Sequence, residues 1–547
     1  MGQVKSRLIS ITSLGLLTIT LVVTPLTSYD PINLPKFIAL NLLSFLLISL
    51  LIIYRKELFD LNHKLLIIIS SLFIAWSLIA LIVSPGITTE LWLGVSGRHT
   101  GFLTYTGLVV LMLAAVVTGG KELNKKIFIA LVAAGTVSLL FAFIQVIGAD
   151  PFDWITQYTP VFSVFGNPNF LSSFMAITIT ASFVFLLDKV FSTKLNFFAL
   201  IYIPLAIYVI YKSQSQQGYL VILIGVSTLL FLRLISHKKF MKLWLAYLCL
   251  WITGGTMAIL DMLQKTPWES VLYKQSVSFR GDFWQAGWKM ALDKPIFGFG
   301  LDGYRDHFRR FRDEAALLRD PVDAEVDSAH NVFLDILTGG GFPLLAIYLI
   351  WIVLVFISAI KVFKRESEFN PFFAGLFAVW ISYLAQSVIS INTISLAIWG
   401  WCLGGAIIGY EISMREVKLK TVRSNRTRYL ALKMMIPILL STVLSVPIFT
   451  TDSEFKAAHR SGDVLRIMAS HDRWPQDVRR MNASAQILRE AGFPDQALVI
   501  SRKSVKFNPD NYESWKQFWL MPNITESEKS IAEINIRRLD PLSLLIK

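Results

Sequence analysis

Apolar residues fall in long runs separated by short polar breaks. A 20-residue helix covers about 30 Å of hydrocarbon, and runs near that length lie at 8–26, 37–53, 65–83, 102–117, 127–147, 170–187, 197–211, 219–232, 243–260, 342–360, 372–389, 394–410 and 430–448. The pattern predicts an all-α, polytopic membrane protein with about 13 transmembrane helices. Several runs are too short to cross unaided and borrow flanking residues to span. The first follows Lys5 and Arg7 like a signal peptide. No small-residue cleavage site follows it and Lys36 opens the next run, so it reads as a helix.

Two polar segments interrupt this plan. One is a long loop, 261–341, between the ninth and tenth runs; the other is 451–547, after the last. The expected organisation is therefore a membrane domain, 1–450, carrying the loop, and a helical domain, 451–547. Within the latter, Gly492, Ala497, Ser504 and Pro509 fit tetratricopeptide spacing, and Trp515 falls where a next repeat would begin. Small residues there let two antiparallel helices pack closely, and the proline ends the second. An ordinary helical hairpin is the plainer alternative. A short array of this kind offers a surface for a partner.

Composition supports the membrane assignment: hydrophobic residues make up 54% and charged residues 16%, against about 25% charged in soluble proteins. The net charge of +14 would suggest a nucleic-acid partner if it were spread evenly. With the amino terminus in the cytoplasm, the cytoplasmic segments carry +16, the short outside loops −1, the long loop −3 and the segment after 450 +2. That is the positive-inside distribution, anchored by runs such as 415–428. The basic charge reports orientation, and no nucleic acid is expected. Thirteen crossings then place 261–341 and 451–547 outside the cytoplasm. Cys249 and Cys402 both fall within predicted spans and read as small packing residues.

Candidate chemistry lies in the outside segments. His330 stands where a helix enters the membrane, beside Asn331 and after Asp323, Glu325 and Asp327. Its imidazole can accept a proton from a hydroxyl or, protonated, contact an anion; a helix-capping role is the plain alternative. Arg280, Trp284 and Trp288 recur at helical spacing, as on an interfacial helix. Arg98 and His99 sit between glycines, where an arginine either binds a ligand or snorkels to headgroups. Asn167 and Asn169 flank Pro168, with Asn169 expected as an N-cap. Lys212 opens a polar hairpin that could line a site or be plain solvated turn. Gly298, Gly300 and Gly303 match a dinucleotide fingerprint, but no strand precedes them, and they read as a turn.

The ordered fragments "GRHTGFL", "FGNPN", the serine-rich hairpin, "RGDFWQAGWKMALDKPIFGFG" and "HNVFL" resemble the O-antigen ligase and polymerase family of bacterial envelope glycosyltransferases. The similarity runs over about 94–341. It implies a multi-helix fold of the lipid-phosphosugar glycosyltransferase type in the cytoplasmic membrane, an undecaprenyl-pyrophosphate-linked glycan donor, no cofactor and no required metal. The leaving pyrophosphate needs cationic clamps and the acceptor hydroxyl a base. Arg280 and Arg98 are the expected clamps, Arg305 a lesser one, and His330 the base or a further clamp. Asn167, Asn169, Asn331 and Lys212 complete the expected set. In the family an arginine usually follows the hairpin serine; here Gln214 and Gln216 follow Ser213 and Ser215, so Lys212 is the substitute. A ligase acting on a glycan, lipid or protein acceptor is the first expectation. A polymerase, a protein oligosaccharyltransferase and a non-enzymatic transport scaffold follow in that order. The helical array would recruit an envelope protein.

Overall fold

Small residues decide how closely the central helices approach. The structure is a computed structural model that describes residues 2–84, 89–154, 161–187, 192–235, 241–262, 275–319, 325–366, 368–415 and 430–546. Helix Ile394–Ser413 is buried along nearly its whole length and packs on Phe102–Thr118. A Cβ added to Gly409 would lie 2.4 Å from the Val116 carbonyl oxygen, and one on Gly405 2.5 Å from that of Met112. In hydrocarbon, where helices gain nothing from hiding apolar surface from one another, such backbone contact is a main source of association. Trp351, Trp380, Trp399 and Trp401 fill the space around the pair, and Trp399 Nε1 donates to Thr20 Oγ1 at 3.0 Å.

Among the described residues every regular element is helical, and the chain is a multi-pass membrane protein. Eleven of the described helices are long and apolar enough to span; two shorter apolar helices, Phe102–Thr118 and Leu245–Met257, coincide with the remaining two of the thirteen predicted runs. Lys36, fully buried, donates from Nζ to the carbonyls of Thr20 (2.8 Å) and Val22 (3.1 Å). An ammonium at the carbonyl end of a helix meets both its free acceptors and its dipole. Cys402 is buried as expected, but Cys249 is exposed. The basic run beyond Arg415 lies outside the described residues.

Helices at one end of the bundle are joined by the long loop. Its first described helix, Gln275–Asp293, leads to a turn containing Gly298 (φ 65°) and Gly300 (φ 86°). This turn is stitched to helix Val332–Arg365: Phe299 N donates to Thr338 O, and Phe342 N to Pro295 O, both at 2.8 Å. A Cβ on Gly298 would meet the Thr338 oxygen at 2.4 Å. The glycines serve backbone packing. Helix Val332–Arg365 starts well before the apolar run at 342–360 and is interrupted at Gly341 (φ 71°).

The last span does not end at position 450. Helix Leu430–Ser461 continues into a cluster made of Val464–Ser470, Val478–Glu490, Pro494–Phe507, Tyr512–Trp519 and Glu526–Leu539. The cluster has its own core, including Met481, Ala485, Leu498, Trp515 and Ile536. Gly492 (φ 86°) turns Val478–Glu490 into Pro494–Phe507, and Ala497 and Ser504 are fully buried. The cluster is tied to the bundle. Asp452 Oδ2 accepts from Tyr29 N at 2.7 Å, and Lys456 donates to the Pro25 and Ser28 carbonyls at 2.6 and 2.9 Å.

Candidate functional site

The loop face encloses a cavity of about 1100 Å³, at the upper limit for small-ligand pockets. Four of the segments singled out in the sequence reach it, contributing Arg98, Asn167 and Asn169, Arg280, and His330. Aromatic rings of Trp154, Phe162, Phe165 and Phe283 line it beside Asn33, Asn392 and Thr393. Aromatic faces set among amides and hydroxyls suit a ligand with both apolar faces and hydroxyl edges.

Arg280 lies on helix Gln275–Asp293, and its partner among the described residues is a neutral amide: Nη2 reaches Gln217 Oε1 at 3.5 Å. Burial pulls its pKa down to about 10. A desolvated guanidinium with no carboxylate partner among the described residues favours a nearby anion. Gln217 is placed by hydroxyls that converge on Asn169. Its Nε2 donates to Ser173 Oγ at 2.7 Å, Ser173 Oγ donates to the Asn169 carbonyl at 2.9 Å, and Ser215 Oγ donates to Asn169 Oδ1 at 2.7 Å.

His330 adopts a left-handed backbone, φ 53°, a conformation uncommon outside glycine. The turn before it is held by Asp335, whose carboxylate accepts from Ala329 N at 2.9 Å and Ser328 Oγ at 2.8 Å. Ser328 in turn accepts from His330 N at 3.0 Å through Oγ, and its carbonyl lies 3.2 Å from Nδ1. A carbonyl can only accept, so Nδ1 carries the proton when the ring is neutral and Nε2 keeps its lone pair. Nε2 has no protein partner among the described residues. The ring packs on Phe283, centroids 5.3 Å apart. Burial, reinforced by Arg280, pulls the imidazole down to about 4, so near neutral pH it is an uncharged acceptor.

Arg98 is differently placed. Its Nη1 donates to the Asp327 carbonyl, and its guanidinium faces the carboxylates of Asp302 (3.3 Å) and Asp327 (3.9 Å). Asp302 also accepts from Val95 N at 2.8 Å and from Thr100 Oγ1 at 2.8 Å, locking this loop to the glycine turn. Arg98 is at the cavity wall with its charge matched. His99 faces away, its Nε2 3.4 Å from Asp30 Oδ2 and its ring stacked on Phe37.

Three expected site residues lie elsewhere. Arg305 is 2% exposed among Glu90 (3.4 Å), Asp306 (3.3 Å) and Glu325 (4.0 Å). Burial holds Glu90 up at about 7 in spite of Arg305; of this cluster only Glu325 lines the cavity, and Arg305 itself does not. Lys212 is exposed and extends over the Tyr208 ring, beside a separate pocket at the hairpin tip. Asn331 caps the spanning helix, its Oδ1 accepting from Phe333 N at 2.9 Å and Leu334 N at 3.2 Å. The cap of the earlier helix is Asn167, whose Oδ1 accepts from Asn169 N at 2.8 Å. Proline at 168 takes the first helical position, which needs no N–H, so the cap is the residue before it and the Asn169 amide is free to meet Ser215. Asp323 lies outside the described residues.

Sequence reasoning missed Gln217, Ser328, Asp335, Asp302 and Arg479. Asp335 had a signal, since a carboxylate in the first turn of a span is costly and functional by default. Arg479 had none: it comes from the carboxyl-terminal cluster, beside Arg480, and lines the cavity.

Residues 201–349, which include Arg280, the serine hairpin and His330, match the family model described as O-antigen ligase. Over that segment the chain is similar to the O-antigen ligase family. It is also similar to the teichuronic acid biosynthesis protein TuaE of Bacillus subtilis (strain 168), 24% identical over 274 residues, which cover 46% of this chain and 52% of that protein. The chain thus spans about half the length of this curated relative. Both matches support a membrane glycan ligase or polymerase.

Proposed function

We propose that the protein transfers a glycan from an undecaprenyl-pyrophosphate carrier to an acceptor hydroxyl, as an O-antigen ligase does. The observation that carries this is one cavity holding a guanidinium, Arg280, with no carboxylate partner among the described residues, and a neutral imidazole, His330, whose Nε2 has no partner among them either. The acceptor oxygen attacks the anomeric carbon of the donor sugar and gives its proton to His330 Nε2. The bond from that carbon to the phosphate oxygen breaks, and the lipid pyrophosphate leaves with the electron pair. Arg280 meets the charge that develops on it. Before the donor binds, Arg280 suppresses His330; the pyrophosphate cancels that charge, and the imidazole becomes a stronger base once its substrate is present.

Arg98 braces the loops rather than clamping phosphate, because two carboxylates already match it. The distribution of Lys and Arg supports an outward-facing site, at the outer side of the cytoplasmic membrane. The carboxyl-terminal cluster is a tetratricopeptide-like array by its spacing, suited to an envelope protein partner. Loss of the gene tests the assignment. Accumulated full-length lipid-linked glycan would identify a ligase and accumulated single repeat units a polymerase, whereas an unchanged glycan profile would contradict both.

A further inference from the structure

Arg479 and Arg480 are neighbours at the start of helix Val478–Glu490 and have different fates. Arg480 is buried, donates to the Pro475 carbonyl at 2.6 Å and faces Asp452 at 3.9 Å, within the junction between the cluster and the last span. Arg479 reaches the cavity. Its Nη1 donates to the Ser96 carbonyl at 2.8 Å and its Nη2 meets Glu325 Oε2 at 3.2 Å. It thereby bridges the loop that carries Arg98 and the segment that leads to His330.

The Arg479–Glu325 pair is open: the two side chains are 37% and 38% exposed, and both line the cavity. An ion pair this accessible contributes little to folding. It does present a paired set of fixed groups, since the guanidinium offers only donors and the carboxylate only acceptors. Adjacent hydroxyls on a sugar ring present the complementary set. Around the pair stand Asn33, whose Nδ2 donates to Gly97 O at 2.6 Å, and the Tyr29 ring. Arg280, by contrast, is tied through Gln217 to the first turn of a spanning helix. The Arg479 wall belongs to the polar cluster beyond the bundle.

We propose that Arg479 and Glu325 form the acceptor subsite, holding the hydroxyl-rich end of the acceptor glycan while its reacting hydroxyl meets His330. This rests on the glycosyl-transfer reading above and adds that the carboxyl-terminal cluster is part of the active site.

The test uses the full-length protein in nanodiscs, lipid-linked donor extracted from a deletion strain, and graded amounts of envelope glycan from the same strain as acceptor. Arg479→Ala should raise the acceptor KM tenfold or more, with donor affinity within about twofold of wild type. Glu325→Gln, which also removes the outermost of the three carboxylates around Arg305 but leaves Glu90 and Asp306 in place, should raise it in the same direction. An unchanged acceptor KM in both variants, or parallel losses of donor affinity and acceptor KM, would overturn the subsite. His330→Ala in the same assay separates the two claims. If that variant is inert and both pair variants keep the wild-type acceptor KM, only the subsite falls; if it turns over normally, the transfer reading itself falls.

Discussion

Replacing Asp540 by asparagine should loosen the carboxyl-terminal cluster from the long loop without unfolding the bundle. Asp540 is fully buried, 2.6 Å from Arg312 and 3.3 Å from Arg309, and both arginines are themselves buried. Arg309 also stacks on Tyr512 at 4.3 Å, so part of its contact survives. Arg312 would be left without this buried counter-charge. Removing one partner of a buried ion pair costs about 3–5 kcal/mol, because the other charge stays desolvated. Each step of about 1.4 kcal/mol is a factor of ten, so the opening equilibrium of this junction should rise on the order of a hundredfold or more. Hydrogen exchange read by mass spectrometry in detergent checks it: helices Tyr304–Phe311 and Glu526–Leu539 should lose protection together, while Ile394–Ser413 keeps its own. Unchanged protection at both junction helices would show that Asp540 is not what holds them.

The remaining expectations concern the site and the bundle. Because His330 must be neutral to accept a proton and sits at about 4 in the empty cavity, kcat/KM should stay level as pH falls from 8 and drop only near pH 4. The acid limb of kcat, which reports the donor-bound enzyme, should lie higher; a kcat/KM limb at the ordinary histidine value near 6.5 would contradict the burial and charge argued for this ring. Arg280→Lys should cut transfer at least tenfold although charge is kept, because an ammonium cannot grip two phosphate oxygens as a planar fork does; equal turnover would reduce Arg280 to a general positive charge. Gly409→Val should abolish a monodisperse folded protein on size exclusion, since even its Cβ would lie 2.4 Å from a backbone oxygen; a normal elution profile would mean that the central helices can part cheaply.

The membrane architecture was legible because spans announce themselves locally, each by its own run of apolar residues. That Arg280 and His330 deserved notice was legible for a related reason: charged or titratable groups beside such runs are costly, and the structure brings both to one cavity. What the chain could not reveal was which charges cancel. Arg98 and Arg305 look alike in sequence, but each meets a carboxylate from far along the chain. Asp302, which faces Arg98, belongs to the long loop after the ninth run, whereas Glu90, which faces Arg305, precedes the fourth. Lys212 lines a separate pocket, because a hairpin tip has two sides and the pattern does not say which faces the larger cavity. Arg479 sits in a polar helix with an identical neighbour, and only the docking of the cluster separates their roles.

The most direct measurement of the central claim is single-turnover transfer by purified His330→Ala with lipid-linked donor, alongside donor affinity for the same sample. His330 is held by its turn and one ring contact, and Asp335 and Ser328 keep each other without it, so the variant should fold and bind donor within a few-fold of wild type. Transfer should fall by at least a factor of a hundred, in the range general-base removal produces. Transfer within a few-fold of wild type, with donor bound normally, would contradict the assignment of this cavity as the site of glycosyl transfer through His330.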